Sequence, residues 1–291
     1  MDKNSFYQRV KQLKITSAKL VEGIYSGSYR STFKGPGLEF DEAREYVFTD
    51  DARFIDWNVT SRMGSPFTKT FREEREMVLQ LAVDLSPSLW SGSGALSKRD
   101  LLNILFANFS WAAANQDDRV GALFFTDRIE GWIAPGKGNK HASRMIEDCL
   151  TLEATGRGSN LSLGIRSSHE SMKRRGILVI LSDFRSTGYW KDLTIAAKKH
   201  DVIAIMISDP LDEALPSGGG VELQDPETLD TLYSQGNSPS FSQQYKDNWA
   251  LMKLIWLKEC HKRGVETLEI GTGEDPTARL LSFFNRRRKV R

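Results

Sequence analysis

The chain has 291 residues, of which 40% are hydrophobic and 27% are charged. This length suits one large domain or two modest ones, and the composition is that of a globular protein rather than a disordered, collagen-like or coiled-coil chain. Forty basic residues against 38 acidic ones leave a net charge of +2, which argues against a protein that coats nucleic acid. No apolar run approaches the ~18 residues of a membrane span and no signal peptide is visible, so we expect a cytoplasmic protein.

Short apolar runs alternate with longer runs of helical period from about residue 78 to residue 209. This alternation indicates a mostly parallel sheet flanked by helices, and therefore an α/β fold. Strands are predicted at 78–84, 120–125, 129–133, 177–181, 202–207 and 265–270. Helices are predicted at 97–115, 142–150, 161–173, 189–199, 241–263 and 276–285, and a hairpin at 221–223 with 229–233.

The first 75 residues have a different pattern, in which a short helix candidate precedes a turn-forming run at 26–37. We expect a small β-rich appendage over 1–75, the α/β domain over 76–285 and a basic tail over 286–291. The tail contains five basic residues and no acid. We favour the interpretation that these charges complement a helix C-terminus, and contact with nucleic acid or acidic lipids is the alternative.

Oxygen-bearing side chains follow the first buried strand. Asp84, Ser86 and Ser88 alternate there, at the edge of the sheet where ligands bind in open α/β folds. Ser159 precedes a predicted helix, and Asp183 follows another buried strand. Carboxylate and hydroxyl oxygens suit a hard divalent cation, whereas the alternative is that the serines only cap the next helix. We predict a site for Mg²⁺, or for Mn²⁺ or Ca²⁺, called below the predicted metal site; it consists of Asp84, Ser86, Ser88, Ser159 and Asp183.

Three motifs resemble the metal-ion-dependent adhesion site of von Willebrand factor A domains. They are Asp-x-Ser-x-Ser at 84–88, Gly-Ser-Asn-Leu at 158–161 and Leu-Ser-Asp-Phe at 181–184. A further set resembles, more specifically, the bacterial family called domain of unknown function 58. This set is Arg-Glu-Tyr at 44–46, the acidic run that ends in Asp-Trp at 50–57, and Arg-Glu-Glu-Arg at 72–75. The resemblance covers about residues 27–284.

The resemblance implies a von Willebrand A-like, Rossmann-type fold and genes beside MoxR-type AAA+ ATPases and other von Willebrand A proteins. It also implies a role in the assembly or maturation of protein complexes. Two departures concern the site, because Ser159 stands where the adhesion site commonly has Thr, and Asn160 where it commonly has Asp. Serine keeps the hydroxyl ligand. Many family members also carry two N-terminal membrane spans, which this sequence lacks.

The acidic block at 44–57 has two interpretations. Its acids Glu45, Asp50, Asp51 and Asp56 can form a metal-dependent nuclease centre, but the lysine that typically accompanies such carboxylates is missing nearby in the sequence. In the interpretation that we favour, arginines pair with these acids and tie the appendage to the α/β domain, with Trp57 as a core anchor. These arginines are Arg44, Arg53, Arg62 and Arg72.

We expect a non-enzymatic, metal-ion-dependent protein-interaction module. Its partner would be a MoxR-type AAA+ ATPase or another von Willebrand A protein, with no nucleic acid and no membrane contact except through partners. The metal would keep an open coordination position for an acidic side chain of the partner. The alternative is a metal-dependent hydrolase or nuclease that uses the same carboxylates. For that alternative, no His or Lys adjacent in sequence to Asp84 or Asp183 offers a general base, which leaves only spatial neighbours.

Overall fold

The computed structural model describes residues 38–73, 77–214, 220–224, 231–235 and 239–290. The described chain divides into two compact units, one over 38–73 and the other over 77–290, and each is described by itself. The predicted N-terminal helix and the turn-forming run at 26–37 lie outside the described residues.

The N-terminal unit is built on an antiparallel pair of strands, β1 (Leu38–Glu45) and β2 (Phe67–Glu73). A 3-10 turn (Ala52–Phe54) and a short helix, α1 (Trp57–Met63), connect the two strands. The small antiparallel sheet confirms the expected β-rich character of this region.

Helix α1 was not expected from the sequence, and its two ends explain why it forms. Asp56 caps the first turn, because its carboxylate accepts hydrogen bonds from the backbone N–H groups of Asn58 and Val59. Gly64 ends the helix with a φ of +76°, in the left-handed region that glycine adopts without a steric penalty.

The α/β unit contains a six-stranded sheet and a separate two-stranded hairpin. Strands β3 to β10 span Val78–Asp84, Arg119–Phe125, Ile129–Gly136, Ile177–Ser182, Asp201–Ser208, Gly220–Gln224, Thr231–Gln235 and Glu266–Gly271. Helices α2 to α8 span Lys98–Asn115, Gly138–Thr151, Leu161–Ser171, Trp190–Lys199, Pro210–Glu213, Pro239–Lys262 and Pro276–Val290. The predicted α/β fold is confirmed, and so is the hairpin, which is the antiparallel pair β8 and β9.

The six strands lie in the order β10-β7-β6-β3-β4-β5. All neighbours are parallel except β5, which pairs antiparallel with β4 as an edge strand. Strands β6 and β7 are buried along their whole length, as expected for a sheet covered on both faces. Helix α4 packs directly on β4 at Gly164, where a Cβ atom would come within 2.5 Å of the Phe125 ring.

The last helix extends further than predicted. Helix α8 continues to Val290 rather than ending at Asn285, so most of the predicted basic tail is helical. The side chain of Arg287 is 8% exposed, and it forms ion pairs with Asp201 and with Glu266, the latter at 3.0 Å. This arginine of the basic run therefore connects α8 to the starts of β7 and β10.

Candidate functional site

The predicted metal site lies where the order of the strands reverses. From β3 the chain adds β4 and β5 on one side, and it then returns to add β6, β7 and β10 on the other. Strands β3 and β6 are parallel neighbours, so their carboxyl ends meet at one edge of the sheet. Asp84 ends β3, and Asp183 follows the last residue of β6. Such a switch point is the usual ligand site of an open α/β sheet.

Hydrogen bonds connect four of the five predicted ligands. The Oδ1 atom of Asp84 accepts a bond from the backbone N–H of Ser86 at 2.9 Å, and its Oδ2 atom accepts one from Ser159 Oγ at 3.1 Å. The hydroxyl oxygens of Ser86 and Ser88 are 3.1 Å apart. The loop after β3 and the loop that carries Ser159 thus both donate hydrogen bonds to Asp84, which is fully buried.

The capping alternative for the two serines is wrong. Ser86 does occupy the N-cap position of a 3-10 turn (Pro87–Trp90), but its side chain makes no capping hydrogen bond. Its hydroxyl instead faces that of Ser88. Asn160 does cap a helix at this edge, because its side chain accepts a bond from Leu163 N–H at the start of α4. An Asp at this position would cap the helix equally well, so the capping role does not explain the departure.

The loop that carries Ser159 is held by a hydrogen-bond cluster around Glu130. Glu130 accepts bonds from Thr126 Oγ1 at 2.7 Å, from Gly156 N–H at 2.7 Å and from Thr155 Oγ1 at 3.0 Å. Burial raises the pKa of Glu130, but these hydrogen bonds outweigh it and leave the pKa below its usual value. No side chain fits at Gly156, since a Cβ atom there would lie 2.0 Å from Thr126 Oγ1.

Asp183 sits in an unusual stretch of backbone. The next residue, Phe184, has a φ of +55°, a left-handed conformation that is costly for a residue with a large side chain. Phe184 is buried against Tyr189 and Trp256, and its N–H donates to Ser182 Oγ at 3.0 Å. Packing thus holds the turn that places the Asp183 carboxylate at the edge of the sheet.

The two carboxylates are buried together, and this changes the titration of Asp84. Burial raises the pKa of Asp84 to about 6, and the negative charge of Asp183 contributes to the same direction. Asp183 Oδ2 is buried and accepts no hydrogen bond in the described structure. The site therefore contains a carboxylate oxygen without a hydrogen bond beside a second buried acid, an arrangement that a bound cation would stabilise.

Three charged residues of this region were missed by the sequence analysis. Lys98, at the start of α2, lies 3.6 Å from Asp183 Oδ2 and 2.8 Å from Asp212 Oδ2. Arg185 lies 3.7 Å from Asp183 Oδ2 and 2.5 Å from Asp212 Oδ1. The rule that acids after buried strands meet at one edge points to Asp209, directly after β7, and so to the short helix α6 that contains Asp212. No sequence pattern points to Lys98.

Lys98 bears on the hydrolase alternative. The sequence left spatial neighbours open as a source of a general base, and the structure places one lysine there, because the ammonium group of Lys98 faces Asp183. This group donates a hydrogen bond to Asp212 and is almost completely buried. An ammonium group held between two carboxylates is arranged as their counter-ion, so its position supplies no general base for hydrolysis.

The donor set fits a hard cation better than a soft one. The five predicted ligands offer only carboxylate and hydroxyl oxygens, which suit Mg²⁺, Mn²⁺ or Ca²⁺. Within the described ranges there is no group of three or more His, Cys, Asp or Glu side chains placed to hold a metal. A metal at this site would therefore depend on two carboxylates, on the hydroxyls and on water.

The acidic block of the N-terminal unit contains two of the predicted arginine–acid pairs. Arg44 pairs with Asp50 at 2.6 Å, and Arg53 pairs with Asp51 at 2.7 Å. Both pairs join residues close in sequence within this unit, and the connection of the block to the α/β domain stays a prediction.

Two further residues of this block bear on its interpretation. Asp56 is 3.6 Å from Lys69, so a lysine does lie near these acids in space, although it comes from β2 rather than from the block itself. Trp57 is 71% exposed, so the expectation that it is a core anchor is wrong for the core of its own unit.

Comparisons with known proteins agree with this architecture. The family described as "Protein of unknown function DUF58" matches residues 42–252. The uncharacterized protein Rv1480 of Mycobacterium tuberculosis is 29% identical over 283 residues, which cover 96% of this chain and 89% of the relative. The topology described above is von Willebrand A-like, as the resemblance implied.

Solved structures with a similar fold include two proteins from Bacteroides. An aerotolerance-related membrane protein of Bacteroides fragilis has a TM-score of 0.48 and 12% identity, with 72% of this chain and 99% of that chain covered. BatB of Bacteroides thetaiotaomicron has a TM-score of 0.47 and 14% identity, with 73% and 99% covered. Among the described residues of the present chain, no helix combines the length and apolar character needed to cross a bilayer.

Proposed function

Because this chain belongs to the DUF58 family of proteins of unknown function, we propose a role for it from the chemistry of its site. We infer that it is a protein-interaction module that holds Mg²⁺ or a similar ion at the predicted metal site and uses the ion to bind an acidic side chain of a partner. The observation that carries this proposal is the pair of buried acids, Asp84 and Asp183, one with a raised pKa and the other with an oxygen that accepts no hydrogen bond.

Each predicted ligand has a distinct role in the proposal. Asp84 and Asp183 supply the negative charge that offsets the dehydration of a divalent cation, and the hydroxyls of Ser86, Ser88 and Ser159 supply neutral oxygen ligands. The bound ion would serve as a Lewis acid that attracts an anionic group. Such a cation takes six or more ligands, and the protein supplies fewer than that. Water fills the remaining coordination positions, and a partner carboxylate can replace this water.

The identity of the partner rests on the family resemblance alone. We propose a MoxR-type AAA+ ATPase or another von Willebrand A protein, acting with this chain in the cytoplasm on the assembly or maturation of a protein complex. The role is non-enzymatic in this proposal, since the cations beside the acids are engaged with carboxylates.

Metal binding is tested by calorimetric titration of Mg²⁺ and Mn²⁺ into the wild-type chain and into Asp84→Asn. We expect the variant to lose at least about 100-fold in affinity, because it lacks one of the two charged ligands. Asp118→Asn is a matched control, because Asp118 is also buried and accepts a backbone hydrogen bond, from Met77, but lies at the opposite edge of the sheet. Equal affinities in all three proteins would overturn the site.

Partner binding is tested by recovery of a MoxR-type ATPase on the immobilised chain, with magnesium and with a chelator. We expect recovery to depend on the metal and to fall in the double variant Ser86→Ala with Ser88→Ala, which should fold because the two hydroxyls bond to each other. Recovery that is equal with magnesium and with chelator would show that the ATPase uses another surface, or that it is not the partner.

A further inference from the structure

Two cations face the same oxygen of the predicted metal site at nearly the same distance. Lys98 Nζ is 3.6 Å from Asp183 Oδ2, and Arg185 Nε is 3.7 Å from it. Both also pair with Asp212. They differ in exposure, because the side chain of Lys98 is 1% exposed and that of Arg185 is 40% exposed. Of these two cations, only Arg185 is accessible to a molecule that approaches from solvent.

The guanidinium group of Arg185 is held in place on more than one side. The Nη2 atom of Arg185 donates a hydrogen bond to Asp212 at 2.5 Å. The Cζ atom of Arg185 lies 5.4 Å from the centre of the Trp249 ring. A guanidinium that is already ordered loses little conformational entropy when it binds a further anion. Arginine also presents several donors in one plane, so a pair with Asp212 is compatible with a second carboxylate.

We propose that Arg185 is a specificity-determining residue that contacts the carboxylate of the partner next to the metal. This inference rests on the proposed function, and it identifies the partner group as an acidic side chain bound by the ion and by a guanidinium together. An anion on the metal lies beside Arg185, because Asp183 is both a predicted ligand of the ion and a neighbour of this guanidinium. Arginine is enriched among the residues that dominate binding energy at interfaces.

The proposal predicts effects of opposite sign for the metal and for the anion. Arg185→Gln removes a positive charge that repels the cation, so the affinity for Mn²⁺ should rise several-fold. The same change removes a charge-assisted hydrogen bond to the anion, so the affinity of the metal-loaded site for a carboxylate should fall about tenfold. A residue that only stabilised the fold would weaken both interactions.

Lys98→Met is the matched control, because it removes a charge at the same distance from Asp183 and also leaves Asp212 with one cationic partner. Its affinity for Mn²⁺ should rise as in Arg185→Gln, whereas its affinity for a carboxylate should change by less than about threefold, through the electric field alone. Arg185→Lys keeps the charge but loses the planar group, and we expect an intermediate carboxylate affinity.

The experiment uses Mn²⁺ and acetate on the full chain. Mn²⁺ binding is followed by electron paramagnetic resonance, and acetate binding by the relaxation of its methyl protons near the bound ion, in wild type and in the three variants. Thermal melts establish whether each variant is folded. If Arg185→Gln does not fold, the acetate affinity of Arg185→Lys decides the question in its place. Equal acetate affinity in wild type and the Arg185 variants, or an equal loss in Lys98→Met, would overturn the role of Arg185 while the metal site stands. A wild-type chain that binds no Mn²⁺ would overturn the proposed function and this inference with it.

Discussion

Two regions of this protein combine aspartates with basic residues, and they use them in opposite ways. In the N-terminal unit, hydrogen bonds hold the pKa of Asp50 and of Asp51 below the usual value; the largest contribution comes from the backbone of Val47 for Asp50 and from the Arg53 side chain for Asp51. At the sheet edge, burial raises the pKa of Asp84 to about 6. The charged form of aspartate is thus stabilised in the N-terminal unit and destabilised at the sheet edge.

The difference lies in access to water. Arg53 and Asp51 have side chains that are 86% and 39% exposed, so solvent screens their pair, and such pairs add little to stability. Asp84 and Asp183 are at most 2% exposed and lie side by side. Folding has to work against the charge of this buried pair, which is expected of a site kept for a ligand rather than for stability.

The largest expected effect is a loss of stability that is large at the sheet edge but only slight in the N-terminal unit. Asp212→Ala would leave Lys98 and Arg185 without their shared carboxylate in a buried setting, and we expect a loss of about 3–5 kcal/mol in the free energy of unfolding. Asp51→Ala removes an exposed partner of Arg53 and one backbone hydrogen bond of an exposed turn, so it should lower stability only slightly. Urea unfolding followed by circular dichroism measures both. Similar losses in the two variants would contradict the comparison.

The next effect is a gain of stability that depends on pH. The folded-state pKa of Asp84 is about 6 against a usual 3.8, so this group favours folding below about pH 4 and loses that contribution as the pH rises through 6. Asn has no such proton to lose. Without metal, Asp84→Asn should therefore become more stable than wild type by up to about 3 kcal/mol at pH 8 and by about half as much at pH 5.

Asp51→Asn is expected to change the stability in the opposite direction. Because the pKa of Asp51 is lowered, its contribution to folding is present above the usual 3.8, and the Asn variant should be slightly less stable than wild type at pH 8. Urea unfolding of both variants in chelator at pH 5 and pH 8 makes the comparison. If the gain in stability of Asp84→Asn does not depend on pH, the charge of the Asp84 carboxylate is not what destabilises the wild-type fold.

The smallest expected effect concerns Trp57. Its indole is 71% exposed, so Trp57→Ala should change neither the melting temperature nor the affinity for Mn²⁺. A thermal melt and a Mn²⁺ titration of the variant check this. A large fall in the melting temperature would mean that the indole is packed in solution, as the sequence analysis expected, and the N-terminal block would then have a structural role beyond its local ion pairs.

The sheet and most helices were predictable from the sequence because the hydrophobic pattern is strong. Strand β6 is apolar through five successive residues and buried throughout, and such a run has few alternatives in an α/β protein. The end of α8 was missed because its last turns carry polar residues that pack through an ion pair rather than an apolar face. Helix α1 was missed because two caps, rather than periodicity, define it.

The sequence alone determined that Asp84 and Asp183 lie near each other, since both follow buried strands whose carboxyl ends share one edge of the sheet. Only the tertiary structure decided which cations face them. Lys98 is 14 positions after Asp84 in a helix whose apolar pattern does not mark it, and it reaches Asp183 because α2 packs beside the sheet. Long side chains such as Lys and Arg can cover several ångströms in many directions, so their partners depend on packing and not on spacing in the chain.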